Sequence, residues 1–147
     1  MMFDLGAYLP YLINRAGVRL ALGFGRELRR YGIVLQEWRV LAALITHGPQ
    51  RLSDLAALTS IDLSTLSRLV GRMACAGLLS RGRTNGDRRE IALSLTPKSE
   101  RMTRAIVPVA RRYERTALRG FTAAEEAALK RLLVRVYGNL DRLAQKS

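Results

Sequence analysis

The spacing of apolar residues changes twice along this 147-residue chain, and that change limits the folds it can adopt. As far as residue 76, apolar residues recur every three or four positions, which indicates amphipathic helices. Between residues 79 and 95 they alternate, with Ile91, Leu93 and Leu95 two apart and Ala92 and Ser94 between them, which indicates strands with one buried face. Helical spacing then resumes. The pattern predicts a mainly α fold with one small β-hairpin.

Turn and capping residues set the predicted boundaries. Asn85-Gly86 is a strong hairpin-turn signal between predicted strands 79–83 and 91–95. Ser53 and Asp62 are suitable N-caps for the third and fourth helices, and Pro108 is expected to kink the fifth. The predicted helices cover residues 5–31, 35–46, 54–58 and 63–76, followed by one beginning at Pro97 and one capped by Thr122 and Glu125.

The apolar faces predict a central unit and two flanking helical regions. The expected inward residues of the second and fourth helices are Trp38, Leu41, Leu44, Ile45, Leu66, Leu69, Val70 and Met73. The first and last helices carry further stripes, far in sequence from this unit, that need another surface to bury against. We expect one domain, 1–147, in which residues 32–96 form a winged helix-turn-helix and residues 1–31 and 97–147 form a helical dimerisation region.

The net charge indicates a polyanionic partner. Lys and Arg total 25 against 12 Asp and Glu, so the formal charge is +13. A domain this basic suits nucleic acid. The alternative is a soluble, Arg-rich protein whose charges are only solvated, so the placement of the arginines has to decide.

The fourth helix carries the first candidate DNA-binding residues. Ser64, Thr65, Ser67 and Arg68 lie in its first two turns, on the side opposite the apolar stripe. Short hydroxyls let a helix approach base edges, and an Arg can pair with guanine in the major groove. A solvated helix face is the alternative, because Ser and Thr are common at helix starts.

Arginines around the hairpin favour the nucleic-acid interpretation. Arg81 and Arg83 precede the turn, and Arg88 and Arg89 follow it, with Asp87 as the one acid among them. Together with Arg72 of the fourth helix, they form a cluster suited to phosphates or to the minor groove. Asp87 is expected to orient Arg89 through a charge-assisted hydrogen bond.

Several motifs at matching spacing carry a family resemblance that extends from the first helix to Leu143. The segment from Asp87 to Thr96, DRREIALSLT, resembles the wing signature of the MarR family of winged helix-turn-helix regulators. Residues 63–70, LSTLSRLV, resemble its recognition helix, and residues 36–41, QEWRVL, resemble its second helix. Gly77-Leu-Leu resembles the step into the wing.

The resemblance implies a sequence-specific transcriptional regulator, expected to be a ligand-responsive repressor. It implies a homodimer on a pseudo-palindromic operator in double-stranded DNA, with recognition helices in successive major grooves. The wings would enter the flanking minor groove, with Arg89 inserted and Asp87 supporting it. It also implies a small aromatic or phenolic effector acting near the junction with the dimerisation helices.

Two departures from the family pattern qualify these expectations. Val34 occupies a position where many relatives have a Ser or Thr cap, so the second helix is expected to begin less sharply. Peroxide-sensing relatives have a reactive cysteine near the first helix, which this chain lacks. Cys75, late in the recognition helix, is interpreted as structural. Tyr8, Tyr11 and Asn14 of the first helix are candidate ligand contacts, with packing at the dimer interface as the alternative.

Other functions find less support in the residues. The chain has one histidine, His47, and neither a metal-ligand cluster nor a nucleophile–base arrangement stands out, so we expect no enzyme and no cofactor. Neither a signal peptide nor an apolar run long enough for a membrane span is evident, and the lone cysteine suits the cytoplasm. A winged-helix protein–protein adaptor remains the alternative, whereas a basic membrane-surface protein would need an exposed apolar helix face.

Overall fold

The computed structural model describes residues 2–83 and 90–145. The predicted wing residues Asp87, Arg88 and Arg89 lie outside these ranges. Within them, helices and one antiparallel hairpin follow the predicted order, so the mainly α fold class with a small β-hairpin is confirmed. The elements are a 3-10 turn (Leu5–Ala7), α1 (Leu9–Arg29), α2 (Leu35–His47), α3 (Leu52–Thr59), α4 (Leu63–Cys75), β1 (Leu79–Arg83), β2 (Ile91–Leu95), α5 (Pro97–Ala117) and α6 (Ala123–Ala144).

The chain forms two compact units, Met1–Arg111 and Arg112–Ser147. The first contains the helix-turn-helix and the hairpin. In the second, Thr122 caps α6, its hydroxyl accepting from the Glu125 N–H at 3.1 Å. Lys130 of α6 also contacts Glu114 of α5, with 2.7 Å between Nζ and Oε1. The proposed division at residues 32 and 96 stays a prediction.

One apolar core holds the helices of the first unit together. Its fully buried side chains come from five helices, because each contributes one stripe of its surface. Burying a Leu or Met side chain in this way contributes roughly 1.5–3 kcal/mol. The predicted inward face of α4 is confirmed, since the four residues predicted to face inward are all buried: Leu66, Leu69, Val70 and Met73. The largest fully buried apolar side chains are Leu28, Leu41, Leu55, Leu66, Leu69, Met73 and Ile106.

A tight turn joins α3 to α4. Ser60 adopts a left-handed conformation with φ 56°, which reverses the chain within a single residue. Ile61 follows with only 7% of its surface exposed, and it anchors the turn in the core. Asp62 then caps α4, as predicted: its carboxylate accepts from the Thr65 N–H at 3.1 Å. The pair α3–α4 therefore forms the predicted helix-turn-helix.

The hairpin is fastened on both edges of β2. The register pairs Leu79 with Leu95 at its base and Arg83 with Ile91 at its outer end. On the other side of β2, Gln50 makes an isolated bridge to Leu93: the Gln50 N–H donates to the Leu93 carbonyl at 3.0 Å, and the Leu93 N–H donates back at 2.7 Å. The hairpin is therefore hydrogen-bonded directly to the segment that leads into α3.

Two predicted helix starts were wrong. The first helix begins at Leu9 rather than residue 5, because Pro10 is tolerated only in a first turn and Asp4 closes a separate 3-10 turn by accepting from the Gly6 N–H at 2.8 Å. The third helix begins at Leu52, with Arg51 as its N-cap, so Ser53 lies inside it. The reason is the Gln50–Leu93 bridge, which keeps the chain extended up to Arg51.

The expected weak start of α2 is not observed. Val34 has no side-chain acceptor, but its backbone N–H donates to the Glu37 carboxylate at 2.8 Å. This bond is the half of a capping box that does not require a Ser or Thr, and it holds the first turn.

Two burial predictions were also wrong. Ile45 is 43% exposed, so the inward face of α2 is narrower than its apolar residues suggest. Ile91 is 58% exposed, whereas the neighbouring Ala92 and Leu93 are both buried. The alternation fails because Ile91 pairs at the outer end of the hairpin, while the middle of β2 is covered on both faces.

Large apolar faces stay exposed on the terminal helices. Of the predicted stripe on α1, only Phe24 and Leu28 are buried. No described residue of α6 is buried, and Leu132 and Leu140 are 48% and 59% exposed. Within the described ranges, no helix has the length and apolar character to cross a membrane.

Replacing Leu66 should destabilise the protein far more than replacing Leu63, although both belong to α4. Leu66 is fully buried and Leu63 is 53% exposed. We expect Leu66→Ala to lower the free energy of unfolding by about 2–5 kcal/mol and Leu63→Ala by less than about 0.5 kcal/mol. Urea unfolding at one fixed protein concentration checks this. Equal losses would show that the core does not pack around α4 as described.

Candidate nucleic-acid interface

The outer face of α4 is polar, basic and open. Ser64, Ser67, Arg68 and Arg72 are exposed and Thr65 is half-buried. This arrangement follows from the amphipathic sequence, because burying the apolar stripe turns these residues outward. The structure thus brings the five predicted α4 residues together on one helix.

A shallow groove of about 690 Å³ runs along this face. It is lined by Arg68, Gly71, Arg72, Cys75 and Ala76. A Cβ placed on Gly71 would meet nothing within 4 Å apart from its own helix backbone and its chain neighbours, so the helix surface is open at this position. The lining combines two guanidinium groups with small residues, which allows a polyanion to approach the helix backbone closely.

Cys75 does not have the packed environment of a structural cysteine. Its side chain is exposed in this groove. A thiol in that position packs no core within the chain, and the structural interpretation stays a prediction. Cys75 lies at the end of α4, as predicted.

Asp62 organises the start of α4 electrostatically. Its carboxylate accepts from the Thr65 N–H and the Ser64 hydroxyl, both at 3.1 Å. Hydrogen bonds from the Thr65 hydroxyl and N–H, the hydroxyl foremost, lower the pKa of Asp62 below its ordinary value, and the charge of Arg68 adds to this. Ser64 thus supports the cap and also lies on the outer face.

The described part of the wing places two of its predicted arginines together. Arg81 and Arg83 are exposed residues of β1. Being two apart on one strand, they point to the same side of the hairpin. The other predicted wing residues lie outside the described ranges, and their roles stay predictions.

An ion-pair cluster at the base of the wing was missed by the sequence interpretation. Arg51 contacts Glu90 at 2.7 Å, between Nη1 and Oε1, and Asp54 at 3.0 Å, between Nε and Oδ2. These hydrogen bonds, that to Asp54 first, raise the pKa of Arg51. Arg51 and Glu90 are 39 positions apart, so no local pattern signals the contact. The cluster joins the N-terminus of α3 to the residue preceding β2.

The predicted ligand contacts lie along the exposed start of α1. Tyr8 packs against Phe3 with 5.1 Å between ring centroids, and the Arg15 guanidinium lies 5.2 Å from the centre of the Tyr11 ring. Asn14 is exposed. Their ligand role stays a prediction. A separate groove of about 520 Å³ lies beside α2 and α3, and its lining includes Trp38, Arg39, Thr46, His47 and Leu58.

The Trp38 prediction holds in part. Its ring packs edge-on against Phe24 of α1, with 5.8 Å between centroids, so it belongs to the contact between α1 and α2. It is half-buried, however, and its remaining surface faces the groove.

Comparison with known proteins identifies the family. A sequence model of the MarR family matches residues 33–91, which span the helix-turn-helix and most of the hairpin. The HTH-type transcriptional regulator FarR of Neisseria gonorrhoeae is 31% identical over 103 residues, covering 64% of this chain and 70% of FarR. The chain belongs to the MarR family. It is therefore a DNA-binding transcriptional regulator, and the family consists of regulators rather than enzymes, as the sequence motifs predicted.

Two further relatives match this MarR-family chain over most of its length. The HTH-type transcriptional repressor NicR of Pseudomonas putida is 25% identical over 131 residues, covering 89% of this chain and 83% of NicR. The structure of Bordetella bronchiseptica BpsR, whose DNA binding is regulated by 6-hydroxynicotinic acid, has a TM-score of 0.81 and 25% identity. It covers 93% of this chain and 98% of BpsR.

Removing the carboxylate of Asp62 should weaken the start of α4 in a pH-dependent way. At pH 7 we expect Asp62→Ala to lower the melting temperature by roughly 2–4 °C and Asp62→Asn, which keeps a cap acceptor, by less. Because the pKa of Asp62 is lowered on folding, its stabilisation is present above the ordinary pKa and is lost as the pH falls through the folded-state pKa.

Thermal melts from pH 7 to pH 2 check this expectation. The advantage of the wild type over Asp62→Asn should shrink through the acidic range and vanish below the folded-state pKa. A difference that stays constant with pH would mean that the charge of Asp62 contributes nothing to the cap.

Proposed function

We propose that this protein is a ligand-responsive transcriptional repressor that binds a pseudo-palindromic operator as a homodimer, with α4 in the major groove. The observation that carries the proposal is the outer face of α4, where short hydroxyls, two arginines and Gly71 surround an open groove. A 13-residue helix is about 20 Å long, which suits insertion into the major groove of B-DNA.

Direct base reading is assigned to the first half of α4. Arg68 is suited to bidentate contact with a guanine, and Ser64, Thr65 and Ser67 are short enough to let the helix approach base edges. Ser64 donates to Asp62, so its oxygen retains lone pairs for an outside donor such as a base amino group.

Phosphate contacts are assigned to the arginines around this helix. Arg72 lies one turn beyond Arg68, and Arg81 and Arg83 lie exposed on β1. Arg88 is assigned to phosphate by its place in the wing sequence, and Arg89, supported by Asp87, is assigned to the minor groove by the family resemblance. Contacts of this kind position the protein and make its binding depend on salt.

The exposed apolar faces of the terminal helices support the homodimer. Leu12 and Leu20 of α1 are 40% and 43% exposed, and Leu132 and Leu133 of α6 are 48% and 43% exposed. Water-facing apolar surface on two long helices is a strong driving force for association. In this proposal residues 32–96 bind DNA, residues 1–31 and 97–147 associate, and the two α4 helices lie about 34–36 Å apart.

A small aromatic or phenolic effector completes the proposal. NicR and BpsR, both similar to this chain, are a repressor and a regulator responsive to 6-hydroxynicotinic acid. The groove beside Trp38 combines an aromatic wall with Arg39, a pairing suited to an anionic ring. Tyr8, Tyr11 and Asn14 remain the second candidate contacts. Acting on chromosomal DNA, the protein would work in the cytoplasm.

Selection from random duplex DNA with the purified protein tests the proposal. We expect an enriched pseudo-palindrome with half-site centres about one helical turn apart. Arg68→Ala should then weaken binding to that site by roughly 5- to 150-fold, about 1–3 kcal/mol, and relax the base preference at one position. Arg89→Ala should weaken it by a similar factor if it reads a groove edge.

Salt titration separates base contacts from phosphate contacts. Arg72→Ala should weaken all duplexes alike and reduce the slope of log affinity against log salt by about 1. Arg119→Ala is the matched control, since it removes the same charge from an exposed residue outside 32–96 and should change affinity less than about 2-fold. If no sequence is enriched and every variant binds like the wild type, the protein–protein adaptor replaces the proposal.

A further inference from the structure

We propose that Lys98 and Thr96, at the start of α5, are positioning residues that hold the C-terminal end of α4 in the orientation required for operator recognition. The inference rests on the proposed role of α4 in DNA binding. Neither residue belongs to the outer face of α4 or to the wing arginines. Their contribution comes from two hydrogen bonds to the backbone at the end of the recognition helix.

The end of α4 exposes backbone carbonyls that need partners. Ala76 is the C-cap and Gly77 follows with φ 74°. The Leu78 N–H then donates to the Met73 carbonyl at 2.9 Å, which closes the last turn. The carbonyls of Ala76 and Gly77 are instead bonded from another helix. The Lys98 ammonium donates to the Ala76 oxygen at 2.9 Å, and the Thr96 hydroxyl donates to the Gly77 oxygen at 2.6 Å.

Lys98 suits this end of the helix electrostatically. The C-terminus of a helix carries a partial negative charge, which an ammonium group stabilises. The Lys98 stem also lies against the chain here, since its Cδ is 4.0 Å from the position that a Cβ on Gly77 would occupy. Both the charge and the stem therefore contact the residues that terminate α4.

Thr96 is a rigid donor because its own position is fixed. Its N–H donates to the Ser99 hydroxyl at 2.9 Å, and its hydroxyl accepts from the Ser99 N–H at 3.2 Å. Ser99 is completely buried. The hydroxyl that begins α5 is thus the one that holds Gly77. The pairing of Leu79 with Leu95 brings the end of α4 close to the start of α5.

These bonds act on the half of α4 that lies farther from its cap. Asp62 holds the N-terminus, and the buried stripe fixes the rotation of the helix. Burial of Met73 and Leu78 anchors the C-terminal end, and the two bonds add a directional restraint in the half that contains Gly71 and Arg72. Base contacts require fixed geometry, whereas phosphate attraction tolerates small displacements. Loss of the two bonds should therefore reduce specificity more than general DNA affinity.

Four variants test the proposal on the full-length protein. Lys98→Met keeps the stem and removes the ammonium group, and Lys98→Arg restores a cationic donor. Thr96→Val removes the hydroxyl, and Thr96→Ser restores it. Lys98 is exposed, so its variants should fold. Lys130→Met is the matched control for loss of the same charge and donor, since Lys130 contacts Glu114 instead of α4; because α6 lies in the region proposed to associate, light scattering first verifies that this variant still forms the dimer.

We expect Lys98→Met and Thr96→Val to lower affinity for the selected operator by roughly 3- to 10-fold. Affinity for unrelated duplex and the salt slope should stay at wild-type values. Amide hydrogen exchange at Gly77 and Leu78 should accelerate in both variants. Lys98→Arg and Thr96→Ser should recover most of the operator affinity, and Lys130→Met should lose none.

Two results would overturn the inference. If Lys98→Met weakens all duplexes alike and lowers the salt slope by about 1, Lys98 contacts phosphate directly. If exchange accelerates while operator affinity stays unchanged, the two bonds stabilise the helix end without positioning it for DNA. Failure of the proposed function is distinguishable from both, because the wild-type protein would then select no operator before any variant is compared.

Discussion

Burial of one stripe of α4 is the constraint on which the proposed DNA-binding surface depends. Leu66, Leu69, Val70 and Met73 are all removed from water, so the helix has only one rotation about its axis. That rotation turns the serines, the arginines and Gly71 outward together. The apolar stripe alone fixes the position of the helix in the core. The polar residues of the outer face are therefore not needed for packing and stay available to a partner.

Elements with both a periodic apolar stripe and a local cap were predictable from the sequence. The fourth helix has both, and its start at Leu63 and its buried residues agree with the structure. The last helix has the Thr122–Glu125 capping box, which also forms. In such elements the interactions that set the boundaries join residues three or four positions apart. They can therefore be predicted from a short stretch of sequence.

Features that depend on distant partners were not predictable. The start of α3 is set by the bridge between Gln50 and Leu93, and the wing base by the pair of Arg51 and Glu90. The alternation of Ile91 and Leu93 predicted that both are buried. Ile91 is exposed, because burial along β2 depends on which elements cover each face. The exposure of Cys75 likewise depends on what packs beside the end of α4. Of the candidate DNA site, the sequence alone predicted the residue types and their spacing along α4. It did not predict the contacts that hold α4 and the hairpin in place.

The double use of the Thr96 hydroxyl has a consequence for how such a protein can diverge. One hydroxyl both caps the first turn of α5 and bonds to Gly77, just beyond the C-cap of α4, so a substitution of Thr96 alters the ends of two helices at once. Residues on the outer face of α4 do not link two helices in this way, and a Cβ added at Gly71 would meet open space. If α4 reads the operator as proposed, its outer residues can change without disturbing the Thr96–Gly77 hydrogen bond, whereas Thr96 itself stays under constraint. Residues that contact a partner can thus change while the buried residues and the Thr96 hydrogen bonds stay the same.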